Sequence, residues 1–196
     1  MPLSPRFDDA FLFAHRLHRE QTRKSTNVPY ITHLLSVAAL VGENGGTEDQ
    51  IIAALLHDAI EDQGGAETGE LIERHFGAHV RYLVECCTDT DQTPKPPWRA
   101  RKEAYIAHLA HMPDEVLLIS IADKLHNART IVNDLRTSDE VFDRFSGRKS
   151  GTLWYYKSLQ TVYEAKLQHI IVQEYAETVT RMHEMAEAWD QKAARR

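Results

Sequence analysis

The stretch DEVLLISIADKLHNARTIVNDL, Asp114 to Leu135, decides the fold. Pro113 stands where a helix begins, and neither glycine nor proline occurs between it and Leu135, so the segment reads as one long helix. Its first half, VLLISIA from Val116 to Ala122, is apolar all the way round, which requires burial on every side instead of along one stripe. Asp123 follows directly, and Asp123, Asn127, Thr130 and Asp134 recur at spacings of four, three and four, a polar stripe that begins inside the protein. A buried carboxylate without a partner would protonate or destabilise the fold, so Asp123 needs a cation or strong donors. Lys124, about a third of a turn away, is a poor partner by direction.

Helical patterning covers the rest of the chain. Glycine and proline are sparse and clustered, while Ala, Leu, Glu, Lys, Arg and Gln fill long stretches. A helix is expected from Asp8 to about Arg19, with Phe7, Phe11, Ala14 and Leu17 or His18 on one side. Pro29 opens a second, YITHLLSVAALV, which stops at GENGG. Glu48 to Glu61 forms a third, closed by Gly64 and Gly65. Glu70 to Phe76 and Ala78 to about Cys87 come next, broken at Gly77, and Trp98 begins another that reaches about His111. Beyond Leu135, Asp139 to Phe145 is a short helix or turn, FSGRKSGTL interrupts, and the chain is helical from Leu153 to about residue 192, bending near Gln168 to Glu174. Thr88 to Pro97, TDTDQTPKPP, is the longest helix-incompatible stretch and is expected to be a mobile loop. With no repeat or linker to divide it, residues 1–196 form one all-α domain of roughly nine or ten helices around one core.

The stretch LLHDAIED, Leu55 to Asp62, carries the other chemical signal. Ile52, Leu55, Leu56, Ala59 and Ile60 share one face, which accounts for packing, and His57 and Glu61 stack on the other with Asp58 nearby. A solvated face is the bland explanation, but Ala53 and Ala54 flank the polar group and allow a second layer of helices to approach. Glu61 and Asp62 also sit at a helix C-terminus, where the macrodipole penalises each by ~0.3–1 kcal/mol. A metal ion answers both puzzles. His33, His57, Asp58 and Asp123 offer two imidazoles and two carboxylates from three helices, a set suited to Mn(II), Fe(II) or Zn(II) with positions left open for water. Most of the eleven histidines must nonetheless be surface or core residues.

Composition narrows the rest. No apolar run approaches the ~20 residues of a membrane span, and MPLSPRFDDAF lacks a secretory pattern, so a soluble cytoplasmic protein is expected. Cys86 and Cys87, adjacent and the only cysteines, suit reduced thiols. A net charge of −6 offers no general attraction for nucleic acid. Any anionic ligand must then be held locally, by a metal or by the basic clusters Arg23–Lys24, Arg99–Arg101–Lys102 and Arg148–Lys149.

In order along the chain, TRKSTNVPYITH, AALLHDAIED, RHFGAHV and ADKLHNAR resemble the HD metal-dependent phosphohydrolases, and more narrowly the hydrolase domain of RelA/SpoT-type enzymes in its small stand-alone form, the small alarmone hydrolases. The resemblance runs from about Phe11 to about Tyr156. It implies His33, His57, Asp58 and Asp123 as metal ligands, usually for manganese, and Glu61 and Asp62 as the acids that position or deprotonate the attacking water. It implies Arg23 and Lys24 at the nucleotide base and phosphates, and Asn127 and Thr130 near the nucleoside; the word GTLWYY, Gly151 to Tyr156, is similar to stand-alone members too.

The implied substrate is a small nucleotide, guanosine tetra- or pentaphosphate, which loses pyrophosphate from its 3′ position. No second region resembles a synthetase domain. Lys102, Arg148 or Lys149 would compensate phosphate charge beyond the ion's reach. His126, in the HN word, would at most orient a neighbour. The same fold acting on adenosine alarmones or the 2′-phosphate of NADPH, and a non-catalytic nucleotide-binding module, are the competing readings.

Overall fold

The computed structural model describes residues 2–90 and 94–195, and these form an all-helical assembly with no strand beyond one isolated bridge, Thr22 with Pro29. The axis is α8, Asp114–Asp134. Every residue from Val116 to Asp123 is buried, as its all-round apolar pattern requires. Around it pack α2 (Ile31–Glu43), α3 (Glu48–Leu56), α6 (Ala78–Cys87), α9 (Arg148–Lys166) and α10 (Ile170–Ala194). The expected bend in the last helical region is a true break between Lys166 and Ile170.

Local chemistry sets the other boundaries. In α1, Pro5–Leu17, Ser4 caps the N-terminus through Arg6 N–H, and Ala10 and Ala14 pack without exposure on α3. A reciprocal capping box between Thr47 and Gln50 starts α3. Gly64, at φ 116°, lets the chain turn into α5, Gly65–Phe76, which begins earlier than its apolar pattern suggests. A 3-10 helix covers Asp139–Arg144.

Two expectations are corrected. The helix expected from Glu48 to Glu61 is two: α3 ends at Leu56, and α4 runs over Ala59–Asp62. The His57 ring bonds back to the Ala54 carbonyl at 2.8 Å, engaging the acceptor that Asp58 N–H uses in a continuous helix, and Asp58 departs to φ −100°, ψ 1°. The second correction is at FSGRKSGTL, where α9 starts at Arg148, not Leu153. Gly147 and Gly151 there are packing residues: a Cβ at either would meet Trp98 at 2.5 or 3.0 Å, so the missing side chains make the seat for that indole.

The stretch from Thr88 to Pro97 has no helix among its described residues, as expected. Its residues 91–93 lie outside the described part, and its two ends are tied down. Lys95 Nζ donates to Glu61 at 2.7 Å, Arg101 Nε donates to the Pro96 carbonyl, and Arg101 and Lys102, on α7 (Trp98–Leu109), both bond Asp89.

Candidate active site

A cleft of about 580 Å³ opens over the second half of α8, from Asp123 to Asp134. One wall is the excursion from Gln21 to Tyr30, pinned at its neck by Arg23 N–H to the Val28 carbonyl (2.8 Å) and Tyr30 N–H to the Gln21 carbonyl (2.9 Å). The others come from α4, the junction of α6 and α7, the 3-10 helix and the start of α9.

At the floor, which Asp58 and Asp123 line with His33 and His57 buried behind them, the break between α3 and α4 turns His57 and Asp58 towards one point. His57 Nε2 lies 3.0 Å from Asp58 Oδ2 and 3.6 Å from Asp123 Oδ1, while His33 Nε2 lies 3.2 Å from Asp123 Oδ1 and 3.8 Å from Asp58 Oδ2. Both imidazole Nε2 atoms are buried and lack a hydrogen-bond partner. The His57 Nδ1 must carry a proton to donate to the Ala54 carbonyl, which leaves Nε2 of the neutral ring as a lone pair facing the carboxylates. Such an orphaned pair beside two acids fits a divalent cation, and His33, His57 and Asp58 place one ligand atom each within 4.8 Å of one another.

Each member of the set is oriented by a neighbour. His33 Nδ1 faces His126 Nδ1 at 2.8 Å, Tyr30 OH donates to Asp58 Oδ2 at 2.5 Å, and Asn127 Nδ2 donates to Asp123 Oδ1 at 2.5 Å. Lys124 also reaches Asp123, donating to Oδ2 at 2.5 Å. The expectation that it points elsewhere fails, because a four-carbon stem curls across the third of a turn between neighbouring positions.

The electrostatics ask for positive charge here. Burial alone would lower the His57 pKa, but Asp58 and Asp123 outweigh it and raise it well above the ordinary histidine value. Burial likewise works against the Asp123 carboxylate, yet Lys124 and the two imidazoles hold its pKa well below normal. Burial lowers His33, and lowers His126 to about 4 with help from His33.

The remaining residues named from sequence divide. Glu61 and Asp62 line the cleft: Glu61 accepts from Lys95 and, at 3.3 Å, from Asp89 N–H, and Asp62 accepts from Gln21 at 2.8 Å. Burial, then the charge of Asp58, raises the Asp62 pKa. Arg23, Lys24, Asn127 and Thr130 all line it, and Arg23 donates to Asn127 Oδ1 at 2.5 Å, so the loop reaches the Asp123 carboxylate through one amide. Lys102 lines it too. Arg148 and Lys149 do not: they pair with Asp143 and Asp190 beside a separate shallow groove, because α9 starts earlier than expected and turns them outside.

Sequence reading missed Tyr30, Asp89, Lys124, Arg144, Trp98 and Tyr155 as cleft residues. Tyr30 had a local signal, one turn before His33; the others are assembled only by packing. Among the described residues, six cationic side chains (Arg23, Lys24, Arg101, Lys102, Lys124, Arg144) face six acidic ones (Asp58, Glu61, Asp62, Asp89, Asp123, Asp134). The described lining is therefore balanced in formal charge, and a bound divalent ion would make it positive.

Residues 10–149 match the model of the HD domain, and the chain belongs to the HD-domain family. It is 40% identical over 126 residues to guanosine-3′,5′-bis(diphosphate) 3′-pyrophosphohydrolase MESH1 of Xenopus tropicalis, a match covering 63% of this chain and 68% of that protein. The human MESH1 is 40% identical over 122 residues, 61% of this chain and 65% of the relative, so the match spans about two thirds of each. Among solved structures, a metazoan orthologue of SpoT described as hydrolysing ppGpp superposes with TM-score 0.76 at 26% identity, covering 92% of this chain and 97% of the other.

Proposed function

We propose that this protein is a metal-dependent phosphohydrolase that removes the 3′-pyrophosphate from guanosine tetra- or pentaphosphate and has no synthetase activity. The observation that carries the reading is the convergence of His33, His57, Asp58 and Asp123 at and just behind the floor of the cleft, with two orphaned imidazole nitrogens aimed at a common point. The names of the MESH1 relatives supply the substrate class. These four residues would hold the ion, for which we favour Mn2+. A bound divalent ion lowers the pKa of water and polarises a phosphoryl group.

The chain's own residues then divide the work. Asp62, whose proton affinity is raised by burial and by Asp58, draws the proton from the attacking water. Glu61, fixed by Lys95 and the Asp89 backbone, orients that water. Arg23, Lys24 and Lys102 meet phosphate oxygens, while Asn127 and Thr130 flank the nucleoside. The packing of five helices on α8 supports a single domain. We place it in the cytoplasm, a reading supported by two free cysteines; no helix among the described residues is long and apolar enough to cross a membrane.

The test is a substrate panel with the metal controlled: guanosine tetraphosphate, its adenosine counterpart and NADPH, each with Mn2+ or EDTA, on wild type and Asp58→Ala. Pyrophosphate release from the guanosine compound, dependent on Mn2+ and abolished by Asp58→Ala, is expected. No pyrophosphate from it would defeat the substrate assignment, and equal turnover in the variant would defeat the metal chemistry.

A further inference from the structure

Asp123 carries a bond that the proposed chemistry does not use. Its Oδ1 faces the imidazoles, and its Oδ2 accepts from Lys124 Nζ. That lysine is enclosed: its side chain is 16% exposed, and its ammonium lies 5.2 Å from the centroid of the Tyr105 ring. Asp123 is its one ion-pair partner among the described residues. Keeping an ammonium in such a place is costly unless the charge serves the site.

We propose that Lys124 is the built-in counter-cation of the metal centre, whose charge offsets Asp123 in the empty site and leaves the occupied site with surplus positive charge for a polyanion. This rests on the reading of His33, His57, Asp58 and Asp123 as ligands. Two ligand carboxylates neutralise a divalent ion by themselves, and Lys124 adds one positive charge to that count. Without the ion, Lys124 covers the Asp123 charge; with it, ammonium and ion share one carboxylate and repel each other. The lysine therefore weakens the ion's hold while stabilising the empty site and the anion-bound one.

A lysine that merely braced its ligand would act in the opposite sense, since removing it would loosen Asp123 and weaken the metal, as loss of an orienting partner usually does. The sign of the change thus separates the two roles.

The experiment titrates EDTA-stripped wild type, Lys124→Met and Lys124→Arg with Mn2+ by calorimetry and records Tm with and without the ion. Lys124→Met is expected to bind Mn2+ on the order of tenfold more tightly. Its metal-free Tm should fall below that of wild type and its gain on saturation should exceed the wild-type gain. Lys124→Arg, which keeps the charge, should behave as wild type. Wild-type or weaker Mn2+ affinity in Lys124→Met would overturn the proposal. Should that variant not fold without metal, its rate of Mn2+ loss to EDTA decides: slower than wild type supports the proposal, equal or faster overturns it. A wild type that takes up neither Mn2+ nor Zn2+ would overturn the metal reading and this inference with it.

Discussion

Alanine at Gly147 tests whether the seat of Trp98 shapes the cleft. Gly147 has φ −76° and ψ −8°, so its backbone makes no demand for glycine; the demand comes from Trp98. A Cβ would lie 2.5 Å from Cη2 and Cζ2 of that indole, about 0.9 Å inside the 3.4 Å at which ordinary contact begins. The ring has little room to retreat, because Trp154 and Tyr155 meet it edge-on at centroid distances of 6.2 and 6.3 Å. Overpacking of this kind costs about 1–3 kcal/mol. Since Trp98 opens α7, and α7 carries Arg101 and Lys102 into the cleft, the strain should also raise KM more than it lowers kcat. Urea unfolding and steady-state hydrolysis of Gly147→Ala, Trp98→Leu and the double variant are the assay. In the Trp98→Leu background the clash disappears, and alanine at a permitted backbone conformation should turn stabilising by about 0.4–1 kcal/mol. An equal loss in both backgrounds would refute the reasoning.

Two further predictions concern the core and the surface. Ser120 bridges Tyr105 OH (3.0 Å) and Tyr163 OH (2.7 Å) within the buried part of α8, so Ser120→Ala should cost about 1–3 kcal/mol for each stranded hydroxyl in guanidinium unfolding, and a loss below about 0.5 kcal/mol would contradict the network. His79 lies between Asp49 and Glu115 at 3.1 Å each, and Asp49 raises its pKa. A folded pKa above the unfolded value near 6.5 means that the contribution is full below that value and is lost as pH rises through the folded one. The side chain is 49% exposed, so solvent screening keeps it under about 1 kcal/mol. The Tm gap between wild type and His79→Gln should be present at about pH 5.5 and closed by about pH 9; a gap that widens with pH would show the sign to be wrong.

The sequence by itself determined the features that local pattern encodes. Apolar residues on all sides of Val116 to Ala122 forced α8 into the centre, and glycine and proline positions marked most helix ends, because burial and backbone permission are properties of short stretches. The ordered words of the chain, from RKS to ADKLHNAR, pointed to the ligands proposed above and to the acids beside them. Only the tertiary structure decided the rest. The break at His57–Asp58 depends on a ring reaching the Ala54 carbonyl, the early start of α9 on an indole from another helix, and the tie between Lys124 and Asp123 on a flexible side chain whose direction helical geometry does not prescribe. The balance of the described cleft residues, six cations against six acids, exists only once five separate segments are brought together. Charges far apart in sequence acquire a joint field only when packing sets the distances and removes the water between them.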